Sequence, residues 1–227
     1  MLFFDPLFLL FMLPGLALSL WATFEVRSTF KRYSAVLSAS GMTGAQTAQL
    51  LVQRYGAPGV QIEQVPGTLS DHYDPGRRVL RLSSGVYRNS SVAALGVAAH
   101  EAGHAIQHAE SYWPMRVRSL IVKPASVGSN LGIVLAALGL LINSAGLLWL
   151  GTILFGAFVL FTLVTLPVEF DASRRALARL QDLNVLSGRE MEGATKVLRA
   201  AGLTYLAAAT TALLQFAYFF LLAGGDE

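Results

Sequence analysis

Three of the chain's four histidines fall within "VAAHEAGHAIQHAESYW", residues 97–113, and the first is followed directly by a glutamate. The spacing His100-Glu101-x-x-His104 puts two imidazoles at i and i+4, on one face of a helix. Imidazoles so placed can ligate one Zn²⁺ at about 2.0–2.1 Å. Glu101 lies about 100° round the helix from His100, beside the open position of such a metal. There it can take a proton from a water on the metal and hand it to a leaving amine. The ordinary alternative is a capped helix with surface histidines. It fits poorly, because the surrounding residues are small and apolar, where His and Glu are costly without a role.

Two histidines need a third ligand, and the chain has no cysteine to offer one. His108 lies about 12 Å from His100 along a straight helix, too far to share an ion, so it is expected to support the site or an interface. His72, in "SDHYDPG", reads either as a turn residue or as a ligand or oxyanion-side donor. A carboxylate is the better source, and Glu169 and Asp171 of "TLPVEFDASRRA" are the only acids in residues 124–173. An acid at the end of an apolar span is costly unless it is functional or paired, and Arg174 or Arg175 could pair it. The two acids are separated by about 200° on a helix and cannot both face one ion. Glu169 is the favoured ligand, which leaves Asp171 or Ser173 to orient a ligand or to meet an arginine. Tyr73, His72 and Arg174 are the candidate donors to a developing oxyanion.

The elements that position these residues belong to a membrane protein. Residues are 54% hydrophobic and only 14% charged, against about 25% charged in an average soluble domain. Residues 7–24, 125–142, 147–168 and 203–223 are each long and apolar enough to span a bilayer, where about 20 residues are needed. The first of these has no positive charge before it and Arg27, Lys31 and Arg32 after it, the opposite polarity to a secretory signal, so it reads as a retained anchor. All 17 Lys and Arg fall in residues 27–123 and 174–199. The positive-inside rule therefore places both blocks in the cytoplasm and both termini outside a bacterial inner (plasma) membrane. A two-span excursion between the blocks returns Glu169 to the face that carries the HExxH helix. The net charge of +3 is explained by topology and anionic headgroups, and no nucleic-acid partner is expected.

The expected fold is thus an α-helical membrane protein with four transmembrane helices and a small α+β cytoplasmic portion. Its segments are an anchor at 1–26, the HExxH-bearing region at 27–124, a transmembrane hairpin at 125–168, cytoplasmic helices at 169–202, and a last span at 203–227. Within the cytoplasmic region, "MTGAQTAQLLVQRYG" predicts a helix capped by Thr43 and stopped by Gly56. "VQIEQV" and "RVLRLS" predict short strands, and a helix runs from a serine cap near Ser90 towards Pro114. Residues 169–202 predict two short helices broken near 184–188.

Four blocks, "GTLSDHYDPGRRVLRLSSGVY", "VAAHEAGHAIQHA", "LPVEFDASRRAL" and "AAGLTYLAAA", together resemble the YugP-like bacterial membrane family of predicted neutral zinc metallopeptidases. That family is similar to the gluzincin membrane proteases, among them the CAAX prenyl protease and HtpX-like proteases, which pair HExxH with a later ExxxD. The resemblance implies one Zn²⁺ on His100, His104 and Glu169, with Glu101 as general base and a peptide or protein as substrate. Where ExxxD has its aspartate this chain has Ser173, so Asp171 is expected to take that supporting role. The resemblance also implies a strand edge holding the substrate backbone, for which "VLRLS" is the candidate.

Two other readings compete. A site-2-type intramembrane protease also carries HExxH in an apolar helix, but this chain lacks an Asn-Pro-Asp-Gly-like motif, and Arg116, Arg118 and Lys123 follow its HExxH helix closely. A zinc-binding scaffold or assembly factor would share the ligands without the hydrolysis. Substrate, oligomeric state and regulators leave no mark in the sequence.

Overall fold

The structure, a computed structural model, describes residues 6–225. Among these, four helices are long and apolar enough to cross a membrane: α1 (Pro6–Ser34), α5 (Trp113–Leu141), α6 (Ala145–Asp182) and α7 (Gly188–Gly224). Between α1 and α5 lie α2 (Gly44–Arg54), β1 (Gln61–Val65), β2 (His72–Asp74), β3 (Val79–Ser83), α3 (Ser84–Tyr87) and α4 (Val92–Ala109).

The two short helices expected within 169–202 are not separate elements. They are the last part of α6 and the first part of α7, each continuous with an apolar stretch. Pro167 does not end α6. A proline in an apolar helix is tolerated when neighbouring groups satisfy the freed backbone. The break itself falls where the turn residues sit, with Asn184 at φ 52° and Gly188 at φ 48°.

The chain forms two compact units. One comprises the described residues up to Thr23 with Arg116–Pro167 and the chain from Thr204 onward. Its core is aromatic and small by turns, with Phe155, Tyr218 and Phe219 packed around Ala136 and Ala212. α5 and α6 approach closely here, since a Cβ on Gly132 would meet the Phe155 backbone nitrogen at 2.7 Å.

The second unit comprises Phe24–Met115 and Val168–Leu203. Thr43 and Gln46 form a capping box that starts α2, with the Thr43 hydroxyl accepting from the Gln46 amide and the Gln46 side chain accepting from the Thr43 amide. Ser91, one residue beyond the expected cap, accepts from the Ala94 amide to start α4. Leu51, Val52, Leu80, Leu82, Val86, Leu95, Ile106, Leu180 and Leu186 are among the residues that fill its core. The sheet order is β1-β3-β2, with β1 parallel and β2 antiparallel to β3. "VLRLS" is therefore the central strand, hydrogen-bonded on both sides, and not the open edge that the resemblance implies. The edge next to it is β2, three residues that read as a turn.

α4 is buried over nearly its whole length, and it meets α6 through Gly103. A Cβ there would stand 2.8 Å from the Ala172 carbonyl oxygen, a backbone atom that cannot step aside. Gly103→Ala should destabilise the fold by about 1–3 kcal/mol as overpacking. The control Gly85→Ala, in α3 with nothing within 4 Å, should leave the melting temperature equal or slightly higher. Thermal unfolding of the two variants beside the parent chain checks this.

Candidate metal centre

The site is built from α4 and from the part of α6 that lies in the second unit. His100 and His104 point from one face of α4 as the i, i+4 spacing requires, their rings edge to face with centroids 4.7 Å apart. Glu169 enters from α6. Its Oε2 lies 3.2 Å from His100 Nε2 and 3.3 Å from His104 Nε2. Ligand atoms about 2 Å from one tetrahedral ion stand roughly 3.3 Å apart, so the two distances from Glu169 match those of a shared zinc ion. They are the group of potential metal ligands found among the described residues, and all three are buried. Two imidazoles and a carboxylate form a donor set that suits zinc.

Each imidazole is fixed by its other nitrogen. His100 Nδ1 lies 3.1 Å from Ser173 Oγ, and His104 Nδ1 lies 3.0 Å from Gln107 Oε1. Both partners can accept an Nδ1–H, which would leave the Nε2 lone pair of each ring for a metal ion held there. Gln107 is fully buried and uses both ends of its amide: its Nε2 donates to the Val168 carbonyl at 2.9 Å and to Asp171 Oδ2 at 2.9 Å. Asp171 is in turn held by Arg174 and Arg175, and Arg175 continues to Glu110 at the C-cap of α4. Ser173 therefore reaches His100 directly, and Asp171 reaches His104 through Gln107. Gln107 is not among the residues expected from sequence. Its signal was a polar residue three places after His104 on a helix otherwise composed of small and apolar residues.

Glu101 is nearly as buried as its neighbours. Burial pushes its carboxyl up to about 7; His100 opposes the shift, the negative charges of Glu169 and Asp71 add to it, and a hydrogen bond from the Tyr73 backbone opposes it again. A divalent cation on the three ligands would pull the value back down. β2 is an edge strand of the sheet and packs against α4, the helix that carries Glu101. Asp71 fixes the start of that strand, accepting from the Ser83 amide at 2.7 Å and the Ser83 hydroxyl at 3.0 Å. Burial raises the Asp71 carboxyl, with the Ser83 bonds working against it.

The remaining candidates stand elsewhere. The Tyr73 hydroxyl pairs with His108 Nδ1 at 2.9 Å, which ties β2 to the end of α4. His72 is exposed, with Nδ1 2.9 Å from the Ser70 carbonyl oxygen and Nε2 3.4 Å from Arg81. Arg174 is 79% exposed and engages Asp171, so its role is with that carboxylate. None of these contacts is to His100, His104 or Glu169.

A family of zinc-dependent peptidases fits this donor set and its carrier helices. The family model described as "Putative neutral zinc metallopeptidase" matches residues 8–224, and the chain belongs to that family. Over 223 residues it is 45% identical to "Putative membrane protease YugP" of Bacillus subtilis (strain 168), covering 97% of this chain and 99% of the relative. No solved structure gives a significant match.

Zinc counted per purified chain should be one in the parent and lost in Glu169→Ala. Gln107→Leu and Asp171→Ala should keep the metal but bind it about 10–100-fold more weakly, as expected when groups that orient a ligand are removed. A competition titration against a zinc chelator separates these outcomes. Equal affinity in Gln107→Leu and the parent would show that the amide does not hold His104.

Proposed function

We propose that this chain is a membrane-anchored zinc endopeptidase whose site lies at the cytoplasmic face of a bacterial plasma membrane. The observation that carries the reading is the convergence of His100 and His104 of α4 with Glu169 of α6, and Glu101 beside the two histidines on α4. Zinc, when bound, supplies the Lewis acidity that makes water nucleophilic near neutral pH and polarises a carbonyl. Glu101 accepts the proton of the attacking water and returns it to the departing amine, so the peptide C–N bond breaks as a C–O bond forms and no net proton is lost. Glu169, His100 and His104 hold the ion. Ser173 and Gln107 hold the two imidazoles in the tautomer that ligates.

The substrate backbone is supported by the open edge of β2. An extended peptide added there would lie beside Glu101, held by main-chain hydrogen bonds with little side-chain selection. The membrane-protease name of the Bacillus subtilis relative and the four long apolar helices support residence in a membrane. Sidedness rests on charge: the stretch that supplies α4 and the stretch that follows Glu169 carry all the Lys and Arg, which favours the cytoplasm for both and the outside for the termini.

Glu101→Gln tests the reading. Cleavage of an unfolded protein such as casein by the zinc-loaded, detergent-purified chain should fall by about 10²–10⁴-fold, with zinc content unchanged. A parent chain that binds zinc and cleaves nothing, or a variant as active as the parent, would move the assignment to a zinc-binding scaffold.

A further inference from the structure

Away from the metal centre, the second unit contains a cavity of about 670 Å³ lined by Arg27, Phe30, Lys31, Ser34, Thr68 and Leu69. The first four recur at i, i+3, i+4 and i+7 and form one stripe of α1. The other two are the tip of the loop between β1 and β2. That tip has an enforced shape: Gly67 has φ 104°, Leu69 has φ 55°, and the Ser70 hydroxyl donates to the Pro66 carbonyl at 2.9 Å. A leucine with positive φ is a strained residue, and this one holds its side chain 40% exposed on the cavity wall instead of in a core.

The charges are as one-sided as the shape. Arg27 and Lys31 are exposed, and neither takes part in an ion pair among those found in the described residues. Glu25, the acid nearest in sequence, accepts instead from Thr29, one turn along α1. The lining thus offers two cations, two hydroxyls and two apolar side chains, with no acid. That combination suits a phosphate attached to a hydrocarbon. Arg27 also follows the apolar stretch 7–24 by three residues, which on a spanning helix is headgroup depth.

We propose that this cavity binds the headgroup of an anionic membrane phospholipid, its phosphate on Arg27 and Lys31 and its glycerol and upper acyl chain against Phe30 and Leu69. The inference is independent of the peptidase reading. Bound lipid would brace the loop that leads, through Asp71, into β2.

The test is a titration of the full-length chain in neutral detergent with phosphatidylglycerol, followed by native mass spectrometry. Phosphatidylcholine tests the need for net charge, and glycerol phosphate tests whether a free phosphate suffices. Saturable binding of phosphatidylglycerol in preference to both is expected, falling about thirtyfold in Arg27→Gln/Lys31→Gln. Leu69→Ser should weaken the lipid too. The control Arg77→Gln/Arg78→Gln, which removes two exposed cations from the far end of β2, should keep the parent affinity. Equal binding of phosphatidylcholine, or equal losses in both double variants, would show a general charge effect and overturn the site. Glycerol phosphate binding as tightly as the lipid would make it a soluble-phosphate site instead.

Discussion

The candidate metal centre depends on how closely two helix backbones can approach. His100 and His104 sit on α4 and Glu169 on α6, and their ligand atoms meet only because Gly103 lets the Ala172 backbone come within what would be a clash for any side chain. Ala172 and Ala176, on the facing side of α6, are equally small and fully buried. With a larger residue at this crossing the acid and the imidazoles would stand apart. Each would then be a buried polar group without a partner, which costs far more than a lost contact. Packing and chemistry are one constraint here.

From that crossing the two helices are joined at successive levels. Ser173 meets His100, Glu169 meets both imidazoles, Gln107 meets Val168 and Asp171, and Arg175 joins Asp171 to Glu110. Gln107 is the pivotal member because its amide has a donor end and an acceptor end, and each is committed. Its acceptor end specifies which nitrogen of His104 carries a proton, and its donor end ties that choice to the carboxylate on the opposite helix. A glutamate at this position could not donate to Asp171, and two acids would face each other in a buried space.

Much of this architecture was readable because it follows local rules. The HExxH spacing, the serine cap of α4, the Thr43 cap of α2 and the turn at 184–188 all act within a few residues. The departures come from longer range. β2 is three residues flanked by Ser70, Pro75 and Gly76, too short to show alternation, so it read as a turn. Without it the sheet order does not follow from the sequence, although the apolar character of β3 fits the burial of a central strand. The polar residues after Val168 looked like a new helix, whereas composition changes along α6 while the helix does not end. Gln107 carries little signal of its own in the sequence, since amides are common on helix surfaces, and only the fold shows that this surface is interior.

The brevity of β2 carries a consequence for selectivity. Three residues of strand run about 10 Å, enough to align a guest peptide over little more than the bond to be cut. So short a reading frame yields few main-chain hydrogen bonds and modest affinity for any single sequence. For a peptidase held in a bilayer, confinement can supply what contact does not. Sharing a surface raises the effective concentration of whatever else is anchored there, as a tether does for a second binding event. On the proposed reading, neighbourhood would decide more than sequence which proteins are cut.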